Sequence, residues 1–336
     1  MGFFAFFLVL LLDQARPLAA DDRLRRWFGD LVDLVRTSTD AGQAQQGWIG
    51  WAVVTVSVCG VMLAMEWLAH AIHPFVEWFF HVAVLYLVIG FRQTSAVITE
   101  MQVALALDDV QGARRLFDRW RREHGAVETA GPTLPADAPI EEVCRETIVS
   151  ALINLHRGIC APLFWYLILP GVLGPLLYWV SGEMARRWGQ PPNGAPTPRA
   201  DGLASDSSTS VNSAYGEVAL RIHRWLDWLP VRFTAAGFAV AGNFDDAVYC
   251  WRGAVASGTG SDQRTLLLAA ASGATGLKLA DSALEARWAG AAQSFEWPGR
   301  SVETTSLGIG MRLIYRSTAV WLGLFALLGL ASYLGR

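Results

Sequence analysis

Lysine is almost missing from this chain. Lys278 is the only one among 27 basic residues, so arginine carries nearly all the positive charge. A phosphate loop of the GxxxxGK[ST] kind is thereby excluded, because the GATGL that precedes Lys278 does not match it. Cysteine is sparse as well: Cys59, Cys144, Cys160 and Cys250 are scattered with no CxxC, which argues against a disulfide frame or a zinc site. They read as reduced, mostly buried small apolar residues. Charged residues make up only 17%, below the roughly 25% usual for soluble domains. There is no basic block, hence no nucleic-acid footprint, and the net charge of −3 says little about partners. No basic residue precedes the apolar run Gly2–Leu12, so a signal peptide is not expected there.

What is abundant is apolar. Hydrophobic residues are 53% of 336, and there are 15 tryptophans. This composition predicts an all-α, polytopic membrane helical bundle of about 4–6 membrane segments with helical soluble parts. The lipid bilayer is its first partner. Six stretches follow along the chain: 1–91, N-terminal membrane segments and an amphipathic helix; 92–147, a polar helical segment; 148–185, a broken central membrane segment; 186–213, a Pro/Gly/Ser/Ala-rich flexible linker; 214–316, a mixed amphipathic and soluble part; and 317–336, a last span.

The central stretch, His156–Tyr178, reads HRGICAPLFWYLILPGVLGPLLY. Gly158–Gly182 holds 25 residues without a charge, long enough to cross a bilayer. Yet Pro162, Pro170 and Pro175 interrupt it, together with Gly158, Gly171 and Gly174. A proline inside a helix removes a donor and clashes one turn back. The stretch is therefore either a kinked span or a re-entrant pair of half-helices packed inside protein.

Other elements follow from periodicity. Leu24, Trp27, Phe28, Leu31 and Val35 form an amphipathic stripe that either lies on the membrane surface or covers the bundle. Trp48–Met65 is the clearest span and continues to His73; Pro74 breaks it, and Phe75–Phe91 returns as a second span of a hairpin. Near the tip, Glu66/His70 and Glu77/His81 are spaced i,i+4, with His73 between them. These five are weak metal-ligand candidates; hydrated, hydrogen-bonded groups at the membrane interface are the alternative. Tyr215–Asn243 starts as an amphipathic helix that should end at Pro230, where Asp227 and Arg232 either pair across the break or face a ligand. In Leu266–Ala280, small residues and Gly273 suit either tight helix packing or a phosphate-cradling turn. Arginines before Trp48 and after Arg92 place both regions in the cytoplasm and the Pro74 turn outside.

With these residues in view the chain resembles a known family. APLFW at Ala161–Trp165, GVLGPLLY at Gly171–Tyr178 and DWLPVRFTA at Asp227–Ala235 are similar to motifs of the CobD/CbiB cobalamin-biosynthesis membrane proteins. ALALDDVQGARR at Ala104–Arg115 and AAASGATGLKLA at Ala269–Ala280 add to the ordered set. The resemblance implies a multi-pass protein of the bacterial inner membrane. It also implies adenosylcobinamide-phosphate synthase activity, an ATP-driven amide ligation of a corrinoid acid with an aminopropanol phosphate. ATP and Mg²⁺ would be cofactors, and acidic residues would handle the charge.

Departures from the family pattern concern those acids. Where it has AENxxDG, this chain has LINLHRG at Leu152–Gly158, with Ile153 at the Glu position and Arg157 at the Asp position. Gly182 and Ala185 stand where NTLDSM has Asn and Asp, and His223 and Arg224 replace an acidic pair. Arg16-Pro17 stands near where an early GDP-type turn would be. DWLPVR and an arginine just before APLFW look like the AmpE branch, whose inferred role is modulation of β-lactamase induction. Two readings result: an AmpE-like sensor or modulator that binds a ligand without turning it over, or a synthase using Asp108, Asp109, Asp227 or Glu183. The candidate ligand site is Asn154, His156, Arg157, Asp227, Arg232 and Thr234. There Arg157 and Arg232 would contact a phosphate or carboxylate, Asn154 would orient the ligand, and Asp227 would hold an arginine. The ligand, a small molecule or a corrinoid, and any homo-oligomer stay open.

Overall fold

The computed structural model describes residues 5–9, 12, 22–39, 44–89, 92–124, 138–169, 171–189, 214–256, 263–280 and 299–334. Pro170, most of the loop before Pro139 and the linker from 190 to 213 lie outside these residues. Every regular element among the described residues is helical, and the one β contact is an isolated bridge between Leu277 and Arg300. The bundle is therefore all-α. Among the described residues three helical runs are long and apolar enough to cross a membrane: Gln45–Ile72, Ile140–Ile168 and Thr304–Ala331.

Helix α1, Asp22–Thr39, covers the bundle. Its Phe28 and Val32 pack with Val54, Leu176, Val180, Met184 and Trp188 in a cluster of their own. Helix α2, Ala44–Ile72, meets α3, Pro74–Val88, in a hairpin whose His73 caps α3 by accepting from Phe75 N. The expected second span through Phe91 is shorter than predicted, since α3 ends at Val88 and Ile89 is extended. Its 15 residues reach only about 22 Å. Helices α4, Arg92–Ala106, and α5, Val110–His124, form an arginine-rich pair; Asp109 opens α5 by accepting from Gly112 N at 2.7 Å.

Helix α6, Ile140–Leu155, runs through a π-turn, His156–Cys160, into α7, Ala161–Ile168. The wide turn sits just ahead of Pro162, which cannot donate a helical bond; Ala161 N reaches back to His156 O instead. Leu169 is extended, Gly171 takes a positive φ of 62°, and α8, Leu173–Trp188, packs back along α7. Gly158–Gly182 therefore does not cross as one span. Its first part completes the long α6–α7 run and its second part returns. Gly171 is required twice over: its φ disfavours side chains, and a Cβ would collide with the Glu66 carboxylate.

Helix α9, Ala214–Ala241, continues through Pro230, where a break was expected. The proline costs one helical bond to Leu226 O. The chain beyond it is held in helix by burial of Val231, Ala235 and Phe238. Helices α10, Phe244–Ala256, and α11, Gln263–Thr275, pack closely: a Cβ on Gly273 would strike the backbone of Asp246 and Ala247. That glycine serves helix packing. Helix α12, Leu307–Leu334, closes the bundle, starting ten residues before the expected Ser317. Phe6 from the first apolar run packs against Tyr166 and Phe325, and the main core lies among α6, α9, α11 and α12.

The linker was expected to begin at Arg186, but Arg186, Arg187 and Trp188 are the last turn of α8. Buried Glu183 accepts from Arg186 and from Arg187 Nε at 3.0 Å; Arg187 also pairs with Asp33 of α1 at 2.9 Å. Trp188 Nε1 donates to Val32 O at 3.3 Å. The Arg187–Asp33 pair and the indole fasten α1 to the end of α8.

Candidate functional site

The π-turn turns His156 into the bundle, where it is 2% exposed. There it meets Asp227 and Thr234 of α9. Positions 223, 227 and 234 are separated by four and seven residues and share one helix face, which places His223, Asp227 and Thr234 inward together. His156 Nε2 lies 2.8 Å from Asp227 Oδ1, and Nδ1 lies 2.8 Å from Thr234 Oγ1. Tyr178 of α8 donates its hydroxyl proton to the same Asp227 Oδ1 at 2.9 Å. Thr234 Oγ1 also donates to Pro230 O at 3.0 Å, so the residue after the helical interruption is tied to it. His223 packs its ring 5.1 Å from that of Tyr178. Arg157 and His223 lie near enough to bear on the Asp227 charge.

The chemistry of this set is closed. Asp227 is the only carboxylate in it, and one of its oxygens is shared by an imidazole N–H and a phenol O–H. A carboxylate so buried demands such donors, because an unpaired charge away from water is strongly disfavoured. The carboxylate also fixes the imidazole, since the proton must sit on Nε2 to bond it. With the Thr234 proton given to Pro230 O, Nδ1 and Thr234 Oγ1 can bond only while Nδ1 carries a proton of its own. The arrangement can hold or pass a proton between His156, Asp227 and Tyr178, with Arg157 as the nearby fixed cation.

The predicted site residues divide accordingly. His156, Asp227 and Thr234 meet in one buried network. Arg157 stands half-buried at its edge, and Asn154 is half-buried two residues before His156. Arg232 is not there. It donates to Trp228 O at 2.7 Å and lies 3.8 Å over the Trp228 ring, on the outer side of α9. The predicted pairing of Asp227 with Arg232 fails because the helix is unbroken: five residues turn it by about 140°, so the two side chains diverge. Asp227 holds a histidine where an arginine was expected. Tyr178 and His223 are the members that sequence reasoning did not choose; the i,i+4 spacing of His223 and Asp227 was the available signal.

The hairpin candidates pair differently from expectation. His81 Nε2 bonds Glu66 Oε1 at 2.8 Å, and His70 Nδ1 bonds Glu77 Oε2 at 2.8 Å, both across the hairpin rather than along one helix. Glu66, Glu77 and His81 bring their ligand atoms within 4.8 Å of one another, while His73 is spent on the α3 cap.

No solved structure matches this chain. Among curated proteins it is similar to two that are each named cobalamin biosynthesis protein CobD. The one from Stutzerimonas stutzeri is 27% identical over 272 residues, covering 81% of this chain and 77% of the relative. The one from Chromobacterium violaceum is 28% identical over 309 residues, 88% of this chain and 87% of the relative. The family model described as CobD/Cbib protein matches residues 6–190, which contain the central stretch, the π-turn and Tyr178. With that match covering more than half of the sequence, the chain belongs to the CobD/CbiB family.

Proposed function

We propose that this protein keeps the CobD/CbiB membrane scaffold without the ligase reaction, and works in the inner membrane as an AmpE-like sensor or modulator that binds a ligand and does not turn it over. One observation carries the reading, the condition of its carboxylates. ATP-driven amide ligation would bring Mg²⁺, a hard cation that seeks several free oxygen ligands. Of the acids a synthase could recruit, Asp227 is enclosed by His156 and Tyr178. Glu183 is bound by Arg186 and Arg187, and Asp109 caps α5. Asp108 stands exposed on the turn before α5. These residues do not fit a Mg²⁺–ATP centre, and no ligation step is assigned to them. The ligand class that suits the site is anionic, a phosphate or carboxylate met by Arg157 at its edge.

A synthase is the second reading, favoured by the curated relatives, each named cobalamin biosynthesis protein CobD. Thermal unfolding of the purified full chain separates the two. The modulator reading expects no shift in Tm on adding Mg²⁺–ATP with adenosylcobyric acid. A saturable upward shift that needs both would overturn it.

A further inference from the structure

The outer side of α9 carries a second feature, independent of the reading above. Arg221, Trp225, Trp228 and Arg232 follow one another at steps of four, three and four residues and so form a single stripe, with Arg224 beside it. Trp225 is 64% exposed and Trp228 is 51% exposed. Trp48 at the start of α2, 40% exposed, brings its ring 6.0 Å from that of Trp225. Arg232 is stacked on Trp228, and Arg224 Nε donates only to Leu220 O at 3.3 Å. None of the three arginines has a carboxylate partner among the described residues.

Trp48 sits three residues inside the membrane-spanning run that starts at Gln45. That is the depth, about 5 Å, at which tryptophans collect at a membrane–water interface. Trp225 is thereby placed at the same level. Arginines of α1 flank this end of α2, so the leaflet is the cytoplasmic one. Exposed guanidiniums beside an interfacial tryptophan cluster are complementary to a phosphodiester that carries its acyl chains into the bilayer. Such a group takes paired N–H donors, while the indoles lie along its glycerol region.

We propose that the outer face of the first part of α9, with Arg221, Arg224, Trp225 and Trp48, is a docking site for the headgroup of an anionic phospholipid. The site lies back to back with the start of the buried network, because His223 and Asp227 project from the opposite face of the adjoining turns. Arg232 lies seven residues and about 10 Å beyond Trp225 along α9, and its neighbour Phe233 packs against Phe164 and Trp321 of two spanning runs, so it is too deep to share that headgroup.

The test uses the full chain in a neutral detergent, titrated with phosphatidylglycerol or phosphatidylcholine, with bound lipid counted by native mass spectrometry. The parent should bind phosphatidylglycerol more tightly than phosphatidylcholine. Arg221→Gln/Arg224→Gln should weaken phosphatidylglycerol binding roughly 25-fold, about fivefold for each arginine. Arg221→Lys/Arg224→Lys should keep most of the preference, which separates loss of charge from loss of fold. Arg115→Gln/Arg119→Gln on α5 should leave it unchanged. The proposal is overturned by an equal affinity of the parent for both lipids or by a glutamine variant that keeps the preference. Loss of the preference in the α5 variant, or competition by inorganic phosphate alone at equal concentration, overturns it too.

Discussion

Replacing Asp227 with alanine removes the acceptor that His156 and Tyr178 share. Both side chains of the ion pair are almost wholly buried, 2% and 6% exposed. Breaking one partner of a buried hydrogen-bonded pair costs about 3–5 kcal/mol, because the other is left without compensation. Counting bonds gives a similar figure, since hydrogen bonds to a charged group contribute ~1.5–3 kcal/mol each and two are lost. At about 2 °C per kcal/mol for a chain of this size, Tm should fall by roughly 6–10 °C. The measurement is thermal unfolding of the detergent-solubilised full chain, followed by tryptophan fluorescence. A companion variant, His156→Leu/Tyr178→Phe/Asp227→Leu, removes donors and acceptor together. It should lose less than Asp227→Ala alone, because no buried polar group is then left stranded. A drop of only about 1 °C for Asp227→Ala, or a companion variant less stable than the single one, would refute the reasoning.

Tyr178→Phe removes one donor to the carboxylate and should cost ~1.5–3 kcal/mol, read as a Tm loss about half that of Asp227→Ala. Trp188→Ala should cost about 3–5 kcal/mol and also release α1, so limited proteolysis between residues 22 and 39 should accelerate several-fold. Gly273→Val should destabilise by ~1–3 kcal/mol or more through the clash with α10, whereas Gly60→Ala, where a Cβ meets open space, should have almost no effect on Tm. Glu66→Gln removes the charge opposite His81 at a partly exposed site and should cost only about 0.5–1.5 kcal/mol; a larger loss reversed by a divalent cation would show that the Glu66, Glu77 and His81 group binds metal.

Membrane character, the α2–α3 hairpin and the π-turn segment were legible because they are written locally, as apolar runs and as prolines. The meeting of His156 with Asp227 and Thr234 was legible only as two flanking motifs, and it is completed by Tyr178 and His223 from a third element and the same helix. Arg232 was misplaced for one reason. Pro230 was read as the end of a helix, and a break there would have let Arg232 turn back toward Asp227. Burial of Val231, Ala235 and Phe238 keeps the helix going, and its rotation sends Arg232 outward. The hairpin cluster of Glu66, Glu77 and His81 was legible, but not which residues pair within it. Spacing along one helix placed Glu66 and His70 on a shared face, and antiparallel packing then set His81 opposite Glu66. Local patterns specify faces; which faces meet is decided by packing between distant parts of the chain, as when the Gly171 turn admits the Glu66 carboxylate.

The central claim is that the family scaffold is present without the family reaction. Its most direct test is expression of the full chain in a bacterial cobalamin auxotroph that lacks its own adenosylcobinamide-phosphate synthase. Membrane insertion is verified by immunoblot, and a working synthase serves as the positive control. Growth on medium that demands cobalamin synthesis should be restored by the control and not by this protein. Restored growth would contradict the account and establish the synthase reading.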